Sequence, residues 1–326
     1  MRIPSPTMSV DTRARDRYTP PAMTLEVPAA FAERYAPLVD DAPAFFEAML
    51  TPLPKSFRIN TLKATVETIA PRFAEYGIGI KQTAWYSNAF VSDNPALGST
   101  LEHFLGAIYV QELTSMLPPL LVKSELQSAT TVLDACAAPG SKTTQLSALM
   151  NNRGTIVAND VEYERIKPLK FNLERSGTLN AVVTNYDLRS FPQMLFDVAL
   201  LDAPCTSEGI FRKNPRQIMS WSPKRIAPSA YRQKQLILRT FDLLADGGTL
   251  IYSTCTFAPE ENEAVIDYLL NERPAELEQV DIPNFRLMPG ITKWQDQTFD
   301  ERVRMTARVL PHHNDTGGFF LARIKK

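Results

Sequence analysis

Apolar positions in the first hundred residues recur with two different periods. Apolar side chains fall at helical spacing in the segments 29–38, 43–50 and 66–76. Two segments instead follow the two-residue period of a strand, 56–62 and 78–85. The order helix, helix, strand, helix, strand predicts a small α+β domain over residues 24–105.

From about residue 130 short, almost continuous apolar stretches alternate with amphipathic ones. The predicted strands cover 131–134, 155–160, 181–185, 196–202 and 249–253. Predicted helices cover 141–150, 162–175, 229–244 and 259–271, and a turn is expected at 246–248. In the last helix Glu260, Glu261 and Glu263 suit the positive N-terminal end. This alternation predicts an α/β domain over residues 106–326 with a parallel sheet covered on both faces, completed by an antiparallel pair of strands at 302–310 and 318–324.

The composition is that of an ordinary globular protein. Hydrophobic residues make up 44% and charged residues 22% of the chain, and no apolar run approaches the roughly 18 residues that cross a bilayer. Residues 1–23 are rich in Pro, Arg and Thr without an apolar core, which predicts a flexible tail and not a secretory signal. The three cysteines include no CxxC pair, which argues against a disulfide framework and against a zinc site. We expect a cytoplasmic protein without a bound metal, acting as a monomer.

Basic residues are concentrated in one segment, although the formal net charge is only -1. Residues 211–240 contain no acidic residue and eight basic ones, which are Arg212, Lys213, Arg216, Lys224, Arg225, Arg232, Lys234 and Arg239. A charge run is often a solvated surface, but a local phosphate-binding surface has the same pattern. Its position directly after a cysteine-containing loop favours phosphate binding.

The loop after the first strand of the α/β domain has the sequence DACAAPGSK, residues 134–142. Ligands of open α/β sheets bind beyond the carboxyl ends of the strands, where small residues and a glycine let the backbone approach a ligand closely. The competing interpretation, a Walker A phosphate loop, fails because the first glycine is missing and Ser141 separates Gly140 from Lys142. The loop therefore predicts a small-molecule site of another kind.

Acidic residues and cysteines follow the other strands. Asp160 ends the second strand, where an acidic residue usually binds ribose hydroxyls, and Asp187 and Asp202 follow the third and fourth. The cysteines follow strands one, four and five, which are neighbours in a doubly wound sheet; they are Cys136, Cys205 and Cys255. A single strand-end Asp is usually a cap and a single cysteine is usually a small buried hydrophobic residue. Together they predict a nucleoside site with thiols able to attack a substrate, and Cys205 and Cys255 rank equally as nucleophile.

Three motifs in combination resemble those of the Sun-type (Nop/Sun) RNA 5-methylcytosine methyltransferases. They are DACAAPGSKT at 134–143, DAPCTSEG at 202–209 and STCT at 253–256. The resemblance extends over most of the chain, with further similar stretches at 56–63, 109–112, 311–312 and 318–320. It implies a Rossmann-like class I S-adenosylmethionine (SAM) methyltransferase sheet preceded by a small RNA-recognition-like domain. The implied activity is SAM-dependent methylation of cytosine C5 in transfer or ribosomal RNA through a cysteine adduct at C6.

The resemblance also implies roles for single residues. SAM would be held by Cys136, Ala137, Ala138, Pro139, Gly140, Ser141, Lys142, Asp160, Arg165, Asp187 and Asp202. Cys255 would attack C6 and Cys205 would assist product release, with Asp202 and Lys142 completing the catalytic group. RNA is expected to contact Arg58, Arg212, Lys213, Arg216, Lys224 and Arg225. His312 and His313 either contact the active site or lie exposed in a C-terminal loop.

Two other functions remain open at this level. A DNA cytosine methyltransferase would attack with the Pro-Cys cysteine, Cys205, and both the Thr-Cys motif at Cys255 and the 58–63 stretch count against it. A non-catalytic RNA-binding assembly factor on the same scaffold is disfavoured because both cysteines and Asp202 are intact.

Overall fold

A four-stranded antiparallel sheet forms the N-terminal part of the computed structural model, which describes residues 26–326; the predicted tail lies outside the described residues. Its strands are β1 (Lys55–Ile59), β2 (Ile80–Gln82), β3 (Ala89–Ser92) and β4 (Ile108–Val110), in the order β2-β3-β1-β4. Helix α3 (Val66–Glu75) covers one face, where Phe57, Phe73 and Phe90 are buried together. No strand is predicted from the sequence at β3 or β4. Because β4 pairs with β1, the small sheet extends past the predicted boundary at residue 105.

The two helices that precede this sheet pack elsewhere. α1 (Ala29–Tyr35) and α2 (Ala42–Leu50) place Phe31 and Phe45 in a buried cluster with Phe211 and Phe257. Phe211 and Phe257 belong to the α/β domain, and Phe45 meets Phe257 at a ring-centroid distance of 5.1 Å. The apolar faces of α1 and α2 are therefore covered by residues of the predicted α/β domain and not by the small sheet.

A nine-stranded sheet forms the second part of the molecule, in the order β11-β14-β15-β9-β8-β5-β6-β7 with β10 beside β15. Its parallel strands are β5 (Thr131–Asp134), β6 (Thr155–Asn159), β7 (Ala181–Thr184), β8 (Phe196–Asp202) and β9 (Leu244–Thr254). The antiparallel strands are β10 (Glu276–Glu278), β11 (Met288–Pro289), β14 (Ala307–Val309) and β15 (Phe319–Lys325). A small hairpin of β12 (Lys293–Trp294) and β13 (Gln297–Thr298) stands apart.

Helices cover both faces of this sheet, as the near-continuous apolar strands predict. They are α5 (Leu117–Leu120), α6 (Ser141–Leu149), α7 (Tyr163–Ser176), α8 (Ile226–Asp242) and α9 (Glu263–Glu272), with the short α4 (Leu101–Phe104) and α10 (Pro311–Asn314) in connections. Successive residues of β8 enter different cores: Ala199 packs in the cluster that contains Ile237 of α8, and Leu200 in the cluster that contains Leu146 of α6. The α/β fold class is thus confirmed.

Several element boundaries differ from the prediction. The expected turn at 246–248 lies within β9 as an irregularity, since the pairing with β8 shifts between Phe196↔Leu244 and Val198↔Thr249, and Gly247 there has φ +74°. α9 begins at Glu263, four residues later than expected, and the predicted strand at 302–310 shortens to β14 behind a 3-10 turn at Glu301–Met305. Between residues 26 and 326 no helix combines the length and apolar character that a membrane span requires.

Candidate active site

The carboxyl ends of β5, β8 and β9 lie side by side, because these strands are hydrogen-bonded neighbours. The sulfur atoms of Cys205, after β8, and Cys255, after β9, are 3.4 Å apart. Cys136, after β5, instead lines a neighbouring cavity. The sheet therefore brings two of the three predicted thiols into contact.

The two thiols are electrostatically different. The hydrogen bond from the Cys205 thiol lowers the pKa of Cys255. Ser207 and the nearby Lys142 ammonium act in the same direction, against burial and the Asp202 carboxylate. The same bond raises the pKa of Cys205, to which burial and the Glu261 carboxylate add. A single negative charge shared by the pair is therefore best placed on Cys255.

Lys142 and Asp202 form an ion pair beside the thiols, with 2.6 Å between Nζ and Oδ2. The Ser253 hydroxyl donates to the other carboxylate oxygen of Asp202 over 2.8 Å. Burial disfavours the charge of Lys142, but Asp202 outweighs it and the pKa of Lys142 is raised. Lys142 therefore stays charged, both side chains are oriented by side-chain contacts, and Asp202 is still partly exposed.

A cavity of about 380 Å³ opens beside this ion pair, within the usual size of small-molecule sites. The predicted residues in its wall are Cys136, Ala138, Asp160, Arg165, Asp187 and Asp202. Asp160 accepts the backbone amides of Ala138 (3.1 Å) and Glu162 (3.0 Å), so it holds the loop after β5 as well as facing the cavity. The prediction missed Asn159, Tyr186, Leu188 and Leu236, although the first two adjoin predicted acids in the sequence.

The rest of the loop after β5 faces a second cavity of about 350 Å³. Ala137, Pro139, Ser141 and Lys142 line this cavity and not the first, opposite Tyr109, Gln111, Glu112 and Ser115. Gly140 lines neither cavity: its φ is +104°, and a Cβ there would lie 3.0 Å from the Leu169 side chain, so it is needed for the turn against α7. The single cofactor loop of the prediction is thus divided between two cavities, which share Cys136, Ala138, Arg165 and Asp202.

Two of the expected RNA-binding residues are buried. Arg58 is 1% exposed and donates to Gln111 and Thr144, which joins the small sheet to α6. Arg212 is 1% exposed and donates to the backbone oxygens of Thr51 and Thr316. The expectation that they contact RNA is corrected, because neither guanidinium is available to a ligand from solvent. The remaining four residues of the set, Lys213, Arg216, Lys224 and Arg225, are exposed, and Lys213 lines the second cavity.

The two histidines of the C-terminal loop neither contact the active site nor lie exposed to solvent. His312 and His313 both place Nε2 2.9 Å from a carboxylate oxygen of Asp40, so they hold the connection between α1 and α2. Arg286 pairs with the same carboxylate over 2.7 Å. Burial by itself would raise the pKa of Asp40, but the hydrogen bonds from His312 and His313 together outweigh it and lower this pKa to about 2.

Two buried glutamates next to the cysteine loops were missed. Glu208 lies three residues after Cys205, and Glu261 lies six residues after Cys255. The sequence pattern assigned Glu261 to a helix N-terminus, but it precedes α9 and accepts hydrogen bonds from Thr206. The neighbouring Glu260 forms an ion pair with Arg34, and Glu263 forms one with Arg308. The only signal in the sequence was that Glu208 lies inside the DAPCTSEG motif.

Comparison with known proteins identifies the family. Residues 122–325 match the family model described as 16S rRNA methyltransferase RsmB/F, and residues 27–113 match the N-terminal domain of 16S rRNA methyltransferase RsmF. A tRNA (cytosine(49)-C(5))-methyltransferase of Pyrococcus abyssi is 39% identical over 90% of this chain and 94% of its own length. Ribosomal RNA small subunit methyltransferase F of Escherichia coli K12 is 41% identical over 86% of this chain, which spans 59% of that relative.

Solved structures agree with this assignment. A methyltransferase homolog protein from Pyrococcus horikoshii has a TM-score of 0.81 at 34% identity, covering 93% of this chain and 96% of that one. NSun6 from the same organism, solved with SFG, has a TM-score of 0.80 at 22% identity over 92% of this chain and 98% of that one, and shows the fold alone. The chain therefore belongs to the Sun-type RNA 5-methylcytosine methyltransferases, the family described as 16S rRNA methyltransferase RsmB/F.

Proposed function

We propose that this protein methylates C5 of cytosine in RNA through a covalent adduct between Cys255 and C6 of the base. The observation that carries the proposal is the 3.4 Å contact between the Cys205 and Cys255 sulfurs beside the Lys142–Asp202 ion pair. Cytosine C5 is a weak nucleophile, and a thiolate that adds to C6 increases the electron density at C5. The pair supplies that thiolate next to Asp202, which lines both cavities.

S-adenosylmethionine is the cofactor that fits the first cavity. Asp160 and Asp187 present carboxylate oxygens of the kind that bind ribose hydroxyls, while Leu188 and Leu236 offer apolar surface to an adenine. When bound, SAM supplies an electrophilic methyl group. Cys136 and Ala138 are small enough to let the backbone of the loop lie close to it.

The target cytosine would occupy the second cavity, since the two cavities share the wall formed by Asp202. The base must leave its stack to enter such a pocket. There the Asp202 carboxylate accepts a hydrogen bond from the exocyclic N4 amino group of the base. Lys142 holds that carboxylate in place and favours the thiolate of Cys255.

Release of the product requires that the proton on C5 be removed. We assign this step to Cys205: its thiolate takes the C5 proton, the electron pair forms the C5–C6 double bond, and the C6–S bond breaks to return the Cys255 thiolate. Once Cys255 is bonded to carbon it carries no negative charge, so the largest of the effects that raise the pKa of Cys205 in the free enzyme disappears, while burial and Glu261 remain. Cys205 then ionises at the stage where a base is needed.

Phosphates of the RNA would meet the exposed residues of the basic segment. Lys213 lies in the wall of the second cavity, and Arg216, Lys224 and Arg225 follow on the 3-10 turns that lead into α8. Such a cluster on a nearly neutral protein attracts the phosphate backbone locally.

The nature of the nucleic acid is tested by trapping on 5-azacytidine. The protein is incubated with SAM and with transfer RNA, small-subunit ribosomal RNA or DNA that contains 5-azacytosine, and adducts are counted after denaturation. Adducts with either RNA support the proposal, and an adduct with DNA alone would overturn it. Comparison of the two RNAs also identifies which class is the better substrate.

The two cysteines are distinguished by alanine variants. Cys255→Ala should abolish methyl transfer to RNA while leaving SAM affinity, measured by calorimetry, within a few-fold of the wild type. Cys205→Ala should accumulate an adduct with unmodified RNA that survives denaturation, because the C5 proton is no longer removed. Accumulation in Cys255→Ala instead would reverse the roles.

A further inference from the structure

Buried hydrogen bonds join the loop after β8 to the loop after β9. Thr206, directly after Cys205, donates its backbone amide to Oε2 of Glu261 over 3.0 Å, and its hydroxyl is hydrogen-bonded to Oε1. Gln233 of α8 donates to the same Oε2 over 2.8 Å and to the carbonyl oxygen of Pro204 over 2.8 Å. The backbone on both sides of Cys205 is therefore held by Glu261 and its partner.

A second carboxylate extends this connection towards Cys255. The hydroxyls of Thr206 and Thr256 are 2.9 Å apart, and Thr256, directly after Cys255, donates to Glu208 over 2.8 Å. Tyr35 also donates to Glu208, over 2.7 Å. A row of four oxygens thus runs from Glu261 through the two threonine hydroxyls to Glu208. One of these threonines directly follows each cysteine.

This chain of oxygens needs one proton more than its two hydroxyls provide. Three contacts link Glu261, Thr206, Thr256 and Glu208, and each contact requires a hydrogen between its oxygens. The third proton has to be on a carboxyl group. Burial raises the pKa of Glu261 to about 7, so Glu261 carries it in much of the population at neutral pH.

The two buried carboxyl groups reduce the stability of the fold, which points to a functional reason for their presence. Glu208 and Glu261 are fully buried, and no ion pair to either of them is present between residues 26 and 326. Burying a carboxyl group without a counter-ion destabilises a fold even when hydrogen bonds satisfy it. What these hydrogen bonds provide is a fixed separation between the two cysteine loops.

We propose that Glu261, acting through Thr206, is a positioning residue that holds Cys205 within reach of the base attached to Cys255. This inference rests on the proposed function, in which Cys205 removes the C5 proton. A displacement of Cys205 slows that step and leaves the addition of Cys255 to C6 unaffected. Loss of the hydrogen bonds between Glu261 and Thr206 should therefore increase the amount of covalent protein–RNA adduct without changing the affinity for RNA.

The first test compares two substitutions at Thr206. Thr206→Val keeps the volume but removes the hydroxyl, and should lower kcat by about 10- to 100-fold with KM for RNA unchanged, since a small misplacement of a reacting group has effects of that size. The fraction of protein in the denaturation-resistant adduct should rise. Thr206→Ser restores the hydroxyl and should restore most of the turnover. Equal turnover in both variants would overturn the inference.

A second pair tests the carboxyl group itself. Glu261→Gln imitates the protonated acid, because its amide nitrogen donates to the Thr206 hydroxyl and its oxygen accepts from the Thr206 amide. It should turn over much faster than Glu261→Leu, which removes every one of these bonds. If Gln is as slow as Leu, Glu261 transfers a proton and does not act by position, and the inference is wrong.

The Cys205→Ala variant distinguishes failure of this inference from failure of the proposed function. Adduct in Cys205→Ala but none in Thr206→Val or Glu261→Leu would overturn the inference alone. Adduct in none of the variants would overturn the proposed function and the inference with it.

Discussion

Asp134, the last residue of β5, illustrates how burial alters a single acid. Its side chain is fully buried, Thr143 donates to Oδ2 over 2.6 Å, and Oδ1 has no hydrogen-bond partner within residues 26–326. Burial raises its pKa to about 6, against the opposing effects of Thr143 and Lys142. The sequence marked Asp134 only as the start of a motif, and its partners come from the helix that follows.

The raised pKa makes stability depend on pH. Between about pH 4 and pH 6 the folded state binds a proton that the unfolded state releases, so the free energy of unfolding falls as pH rises through this window. Asp134→Asn lacks this titration. The stability of the variant relative to the wild type should therefore improve by about 3 kcal/mol from pH 4 to pH 8. Urea denaturation across this range measures the difference, and parallel curves for the two proteins would contradict it.

At the scale of elements, the active site depends on loops that cross in close contact. The amide of Gly209 donates to the carbonyl of Cys255 over 2.9 Å, and the amide of Gly318 donates to the carbonyl of Gly209 over 2.9 Å. These bonds fasten the loop after β8 to the end of β9 and to the start of β15. A Cβ on Gly209 would lie 2.2 Å from the Gly318 oxygen, so only glycine allows this approach.

Gly209→Ala should therefore destabilise the fold and displace the cysteine loop. We expect a loss of about 1–3 kcal/mol in the free energy of unfolding, the usual cost of overpacking, together with slower turnover. Gly98→Ala is the matched control, because a Cβ there meets no atom within 4 Å. Thermal unfolding measures the stability of both variants. Similar losses of stability would show that the contact between Gly209 and Gly318 has room for a Cβ.

The whole molecule is held together by contacts between its two parts that are distant in the sequence. The N-terminal helices reach the active-site loops, since Tyr35 of α1 bonds Glu208 and Arg212 bonds the backbone just after α2. The small sheet faces the second cavity through Tyr109 and its neighbours after β4. The N-terminal part is thus a component of the candidate active site.

Charge at this scale is tested by the salt dependence of RNA binding. Replacing Arg216 and Lys224 by Gln should weaken binding and reduce the slope of log K against log salt by about 1 for each residue, because fewer counterions are released. The control replaces Lys123 and Arg153, two exposed basic residues on the segments that lead into β5 and β6. Equal slopes in both variants would show that the basic segment is an ordinary solvated surface and does not bind RNA phosphates.

Much of the fold was predictable because its signals are local. The five parallel strands and the helices between them follow from apolar periodicity, and α7 ends at Gly177 with φ +72° as a glycine C-cap does. No element was predicted at β3 and β4, whose place in the sheet is set by their pairing with the neighbouring β1. The positions of α1 and α2 were missed because an amphipathic helix does not specify which apolar surface covers it.

The sequence by itself determined the family and the loops that carry the chemistry, since the motifs are contiguous and strand ends follow from local patterns. The tertiary structure decided which of those residues meet. In the folded protein the sulfur atoms of Cys205 and Cys255 lie 3.4 Å apart, and Thr206 is hydrogen-bonded to Glu261. Arg58 and Arg212, which were expected on an RNA-binding surface, are buried. The physical reason is that sulfur contacts, burial and hydrogen-bond partners depend on segments 50 or more residues apart, which no local pattern encodes.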